Sequence, residues 1–256
     1  MMRLFDSHLH LNHPAFQGRE ESAWSEAQAA GVSEGVVIGY DLESSRRAIE
    51  LADQLPGLYV SIGVSPHEIL AAPTGYLEEL ERLAGHPRVV AIGECGLEYH
   101  YPAGPKETQI EHFIRQIELA NRLNKAVVIH LREADEDFLK ILEARPPGSA
   151  ILHCFTASRE VMEAAVARGY CVSFSGIVTF KNARDVQAIA AVVPSPNLLI
   201  ETDAPYLAPV PSRGKLCEPA MLPATLRRLA DLRDTRAETL AEQTRENARR
   251  VFQIVG

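Results

Sequence analysis

A chain of 256 residues with 46% apolar side chains can bury one large core, and its length is normal for a single α/β barrel. Its net charge of −8 excludes a protein that coats duplex DNA by general attraction, so a phosphate-bearing substrate must be gripped by local cations or bound metal. Four scattered cysteines without a C-x-x-C pair exclude a zinc knuckle and a disulfide framework.

In chain order, short β-branched runs alternate with longer segments of helical period. "RLFDSH" reads as a strand and "EESAWSEAQAA" as a helix; "GVVIGY" and "LESSRRAIELADQ" repeat the unit, as do "LYVSIGV" and "GYLEELERLAG". Next come "RVVAIGE" with "KETQIEHFIRQIELANRLN", "AVVIH" with "EADEDFLKILEA", "SAILHC" with "SREVMEAAVARG", and "YCVSFSG" with "ARDVQAIAAVV". "NLLIET" is the last strand, followed by "PAMLPATLRRLADLR" and "RAETLAEQTRENARRVFQI". Eight such units predict one (β/α)₈ TIM-type barrel over residues 1–256. A doubly wound open sheet fits less well, because no G-x-G-x-x-G follows the first strand. The longest apolar runs are strand-sized, and the start lacks an apolar signal core, so no membrane contact and a cytoplasmic location are expected.

Inward side chains at the C-terminal ends of barrel strands form the active site in this architecture. The first strand ends in His8 and His10, the fourth in Glu94, the fifth in His130, the sixth in His153 and the eighth in Asp203. Alternation along an extended first strand predicts Asp6, His8 and His10 on one face. A lone histidine at a strand end is usually just a hydrogen-bonded residue, but this many metal-capable groups aimed at one mouth point to metal. Six ligands exceed what one zinc needs and match two ions about 3.5–4 Å apart that share a carboxylate. Glu94 is the expected bridge, with His8, His10 and Asp203 around one ion and His130 and His153 around the other. Ligand type does not choose among Mg²⁺, Mn²⁺ and Zn²⁺. Cys95 and Cys154 are expected to point away, toward the helices.

"FDSHLH", "AIGECGLEYH", "VVIHLREA", "LHCFTAS", "SGIVTFKNA" and "LLIETDAPYLAP…SRGK…EP" closely resemble the motifs of the TatD family of metal-dependent deoxyribonucleases, in the family's order. The resemblance implies a metal-dependent barrel that hydrolyses DNA phosphodiester bonds, expected here as 3′–5′ digestion of single-stranded ends. His8 and His10 match the family's H-x-H and Glu94 its G-E-x-G-L glutamate; His130, His153 and Asp203 match the remaining ligands. Asp203 is also suited to orient the attacking water, so Glu94 and Asp203 are the expected catalytic carboxylates. Glu98, Ser65 and Cys217 stand where the family usually has aspartate, histidine and asparagine. Ser65 and Cys217 are expected in mouth loops, where they bear on substrate preference more than chemistry.

Around that centre, Arg132, Lys181, Arg213 and Lys215 are candidate phosphate contacts, and His67 a substrate contact replacing the missing histidine. Exposed basic loop residues are more often simply solvated. Asp6, Glu98 and Glu201 are candidate partners for ligand side chains, and Tyr99, His100 and Tyr206 candidates to stack on a terminal base. DNA ends are the expected partner, with no obligate protein partner evident. The same centre would serve a hydrolase of D-aminoacyl-tRNA esters, or an amide or lactone hydrolase, although those related barrels typically bridge their ions with a carboxylated lysine. A metal-binding scaffold is the non-enzymatic alternative; it has no need of a water-positioning aspartate at an open mouth.

Overall fold

The computed structural model describes residues 2–255. Every β-branched run becomes a strand and every segment of helical period a helix. The order is β1 (Leu4–Leu9), α1 (Glu20–Ala29), β2 (Val32–Ile38), α2 (Leu42–Gln54), β3 (Leu58–Ile62), α3 (Tyr76–Leu83), β4 (Val89–Glu98) and α4 (Lys106–Arg122). It continues with β5 (Ala126–Arg132), α5 (Asp135–Ala144), β6 (Ala150–Leu152), α6 (Arg159–Ala167), β7 (Cys171–Phe174), α7 (Arg184–Val192) and β8 (Leu198–Ile200), then α8 (Leu222–Leu232) and α9 (Ala237–Val251). The strands pair in parallel, in sequence order from β1 to β8. Main-chain bonds between the first and last strand ends draw the barrel shut: Asp203 N–H donates to His8 O (2.9 Å) and His10 N–H to Ala204 O (2.8 Å). This is a (β/α)₈ barrel. No helix among the described residues is long and apolar enough to cross a membrane.

Two apolar cores follow from strand alternation. Phe5, Val36, Ile38, Ala91, Ala126, Val128, Ile151, Cys171 and Leu199 fill the barrel, while Leu4, Leu9, Val37, Ile92, Cys95, Leu97, Val127, Ile129 and Leu152 pack outward with the helices. Phe252, just past α9, closes the inner core by stacking on Phe5 at 6.0 Å. Arg245 and Arg249 of α9 pair with buried Glu34 of β2, fixing that helix against the barrel.

Alternation slips at two places, and both slips aim candidate ligands. The β1–β2 register shifts between Asp6 and Leu9. Phe5 and Ser7 therefore share the inner face with His8 and His10, while Asp6 faces elsewhere. The expectation of one face for Asp6, His8 and His10 fails because a bulge inserts a residue between them. The β4–β5 register shifts between Ile92 and Cys95, and it turns Glu94 inward above Ala91. Glycine is needed beside it. A Cβ on Gly93 (φ +132°) would lie 2.4 Å from Val128 O, and one on Gly96 (φ +144°) 2.0 Å from His130 O. These glycines let β4 press against β5 where Glu94 and His130 meet.

Candidate metal centre

Six side chains from five strands and the turns just past them converge on one mouth of the barrel; β4 runs on to Glu98, so Glu94 lies inside that strand and not at its expected end. Glu94 is at their middle. Its Oε1 lies 3.0 Å from His130 Nδ1 and 3.2 Å from His153 Nε2, and its Oε2 lies 3.6 Å from His8 Nε2 and 3.8 Å from His10 Nε2. Asp203 Oδ1 closes the other side, 3.5 Å from His10 Nε2 and 3.7 Å from His8 Nε2. Asp203 sits just beyond β8 with φ 55°, a left-handed conformation aspartate tolerates. His8, His10, Glu94, His153 and Asp203 are all buried, and His130 partly so.

These groups fit divalent metal. The Nε2 atoms of His8 and His10 approach to 3.2 Å, as do His130 Nδ1 and His153 Nε2. Two ring nitrogens aimed at each other with lone pairs forward repel unless a proton or a cation lies between them. The imidazoles thus form two pairs, one on each oxygen of Glu94. A mixed nitrogen and oxygen donor set of this kind suits zinc, manganese or iron.

Without metal, burial and charge compete. Burial, then neighbouring His153, pushes His8 down to about 3, so its ring is neutral and ready to coordinate. Burial also opposes charge on His153, His130 and His10, yet Glu94 with Glu201, Glu98 or Asp203 outweighs it and raises all three. Burial likewise opposes the Glu94 carboxylate, and the histidines overcome it and hold Glu94 well below its usual range.

A second layer supports this one. Glu98 is 1% exposed. Its Oε2 lies 3.1 Å from His130 Nε2, fixing that ring, and its Oε1 accepts N–H bonds from His100 (2.6 Å) and Tyr101 (2.9 Å). Glu201 is fully buried; its Oε1 accepts the Cys154 N–H and lies 3.5 Å from His153 Nδ1. The Nδ1 atoms of His8 and His153 and Oε2 of Glu201 have no hydrogen-bond partner, and ligand atoms of these three buried side chains lie within 4.8 Å of one another. Gln109 is a residue the sequence reading missed. From α4 its amide accepts the Glu98 N–H (2.8 Å) and donates to Glu98 O (3.1 Å). Its signal is a glutamine at a buried position of an amphipathic helix, repeated at Gln116, which clamps Val64 the same way.

Several expectations are corrected. Asp6 holds no histidine ring. Its carboxyl accepts bonds from Thr202 N–H (3.0 Å), Thr202 Oγ1 (2.5 Å) and the His8 main chain (3.3 Å), tying β1 to the turn that carries Asp203. Burial pushes that carboxyl up to about 7. Cys95 points outward as expected, but Cys154 does not. β6 ends at Leu152, Cys154 has φ 42°, and its Sγ lies 3.2 Å from Ser175 Oγ. Tyr99 is spoken for by Asp137 and by Lys106, whose ammonium lies 4.0 Å from the ring centre. Exposed Tyr206 stands edge-on to His10 and His13, and exposed Tyr101 stands edge-on to His100. Ser65 and Cys217 are buried; Ser65 N–H donates to Tyr40 O, and Cys217 N–H to Pro205 O, pinning their loops.

The basic candidates divide. Arg132 ends β5 two residues beyond His130, with its guanidinium 5.3 Å from the Tyr101 ring, while its neighbour Glu133 pairs with His100. Arg213 packs over Phe180 at 4.4 Å, and Lys215 is exposed in the same loop. Lys181 lines a groove with Thr179, Arg227, Arg228 and Asp231, and none of the centre's side chains lines it. His67 is exposed, and its Nε2 lies 3.7 Å from Glu98 Oε2.

A barrel with converging histidines and carboxylates defines a metal-dependent hydrolase, and comparison with known proteins agrees. The chain belongs to the TatD-related DNase family, whose model matches residues 5–253. It is 39% identical over 253 residues to the metal-dependent hydrolase YabD of Bacillus subtilis, covering 98% of this chain and 99% of that one. It is 36% identical over 260 residues to the 3′-5′ ssDNA/RNA exonuclease TatD of Escherichia coli K12, covering 98% and 99%. In three dimensions it matches YJJV, a TatD homologue from Escherichia coli K12, with a TM-score of 0.94 at 28% identity and 99% coverage of both chains.

Metal that binds the native fold and not the unfolded chain stabilises by mass action. Zinc or manganese at about a hundred times its Kd is expected to add about 2.7 kcal/mol. The midpoint of thermal unfolding then rises by several degrees over the EDTA-treated protein. An unchanged midpoint in calorimetry would mean that these side chains hold no ion.

Proposed function

We propose that the chain is a two-ion phosphodiesterase that removes nucleotides from the 3′ end of single-stranded DNA. One observation carries this reading: a single carboxylate, Glu94, faces two imidazole pairs through its two oxygens. His8, His10 and Asp203 would hold one ion, His130 and His153 the other, with Glu94 between them. Ions bound there acidify water and offset charge on the phosphate oxygens. Asp203, at the edge of the cluster, orients the attacking water and takes its proton. Glu98 and Glu201 keep the ligand rings turned inward. Arg132 meets a phosphate of the strand, and the exposed ring of Tyr206 takes the terminal base. The name of the similar exonuclease supports the substrate class.

The test uses metal-loaded protein with 5′- and 3′-labelled single-stranded DNA, a D-aminoacyl-tRNA and a lactone panel, with and without EDTA. Stepwise shortening from the 3′ end that EDTA abolishes is the expected result. Turnover of the aminoacyl ester with intact DNA would replace this reading with an esterase. Arg132→Ala is expected to raise KM for single strands by about tenfold with kcat little changed, because a phosphate contact made equally in ground and transition states is lost. An unchanged KM in steady-state assays removes Arg132 from the strand path.

A further inference from the structure

Glu98 does more than steady a ring. Both N–H groups that bond this carboxylate donate to Oε1, which leaves Oε2 facing two imidazoles, one from β5 and one from the loop after β3. His130 Nε2 is 3.1 Å away and His67 Nε2 3.7 Å away. Tetrahedral zinc with bonds of about 2.0–2.1 Å requires ligand atoms about 3.3–3.4 Å apart, and the two observed spacings straddle that value. All three ligand atoms lie within 4.8 Å of one another. The carboxylate is held in place beforehand by the N–H groups of His100 and Tyr101, and the main chain that carries it by Gln109. The His67 ring is 41% exposed, so this cluster opens to solvent at the rim, unlike the buried one beside it.

We infer that His67, Glu98 and Nε2 of His130 form a separate rim site for a divalent transition ion such as zinc, with at least one coordination position open to solvent. His130 links the two clusters: Nδ1 faces Glu94 and Nε2 faces Glu98. A rim ion displaces the Nε2 proton to solvent and takes its place between the ring and the carboxylate. Two imidazoles and one carboxylate favour zinc, cobalt or nickel over magnesium, which prefers oxygen ligands. The site goes beyond the two-ion reading and stands or falls apart from it.

The experiment counts bound zinc in full-length protein by calorimetric titration and locates it by anomalous diffraction from crystals grown with excess zinc. Wild type is expected to take up one more zinc than His67→Ala, with an anomalous peak between residues 67, 98 and 130. Glu98→Gln, which keeps the shape and removes the charge, loses the same ion. Glu94→Gln empties the central cluster and keeps the rim peak, so the two sites are counted independently. Equal stoichiometry in wild type and His67→Ala, or no peak beside His67, overturns the inference whatever the central cluster holds.

Discussion

Glu94→Gln is expected to lower hydrolysis by at least about a thousandfold and to strip most bound metal while the barrel stays folded. Lewis-acid stabilisation of a transition state amounts to several kcal/mol, and about 4 kcal/mol corresponds to a factor near a thousand. An amide keeps the shape of the carboxylate but presents one neutral oxygen and one N–H group to the histidine pairs. The pair 3.0 and 3.2 Å from Oε1 and the pair 3.6 and 3.8 Å from Oε2 cannot both find an anionic partner in it. Metal content by elemental analysis, turnover on labelled single strands and circular dichroism together check the claim. A variant with full metal and turnover within tenfold of wild type would show that Glu94 bridges nothing.

The same substitution has a pH signature in the metal-free protein. Glu94 is held well below the ordinary glutamate value of 4.5, so its contribution is present above that pH and is lost as pH falls through its lower folded value. His153, His130 and His10 are raised above 6.5, so theirs is complete below 6.5 and is lost as pH rises through their folded values. Both conditions hold between 4.5 and 6.5. The stability gap between metal-free wild type and Glu94→Gln should be widest in that window. Metal must displace the protons these rings hold, so its affinity rises with pH. Denaturant titrations across this range, with EDTA present, read the gap; a difference independent of pH would mean that the histidines do not share charge with Glu94.

The barrel was legible because its two periods are clean: each strand is a β-branched run, and each connecting helix keeps an apolar stripe. The converging candidate ligands were legible for a related reason, since His130 continues the inward parity of Val128 within β5, and His153 and Asp203 continue that of Ile151 and Leu199 past their strand ends. Parity misled where the backbone broke it. Nothing in "FDSHLH" marks the bulge that sends Asp6 to Thr202, because bulges depend on the partner strand's register. Cys154 was misplaced because β6 ends two residues earlier and the chain turns left-handed there. Tyr99 is captured by Asp137 and Lys106 from other elements, a contact that no local pattern encodes. Glu98 was visible as a departure from a motif, but its place between His67 and His130 joins three strand ends and is a property of the closed barrel alone.

Asp203→Asn is expected to reduce kcat by about a hundredfold to ten-thousandfold, the usual range for loss of a positioned general base, with KM for single strands little changed. Asparagine tolerates the φ of 55° at this position, so the bond from this residue's N–H to His8 O survives and the barrel stays closed. The substitution removes the negative charge 3.5 Å from His10 and 3.7 Å from His8, but it leaves Glu94, His130 and His153 untouched. Metal loss should therefore be partial and confined to the first histidine pair. Kinetics at saturating manganese separate the two roles of this carboxylate. A residue that only helps to hold an ion regains its activity when metal is forced in, whereas one that also handles the proton of water stays slow. Recovery of kcat to within about threefold of wild type under those conditions would assign proton transfer elsewhere. It would leave Asp203 as a ligand and nothing more.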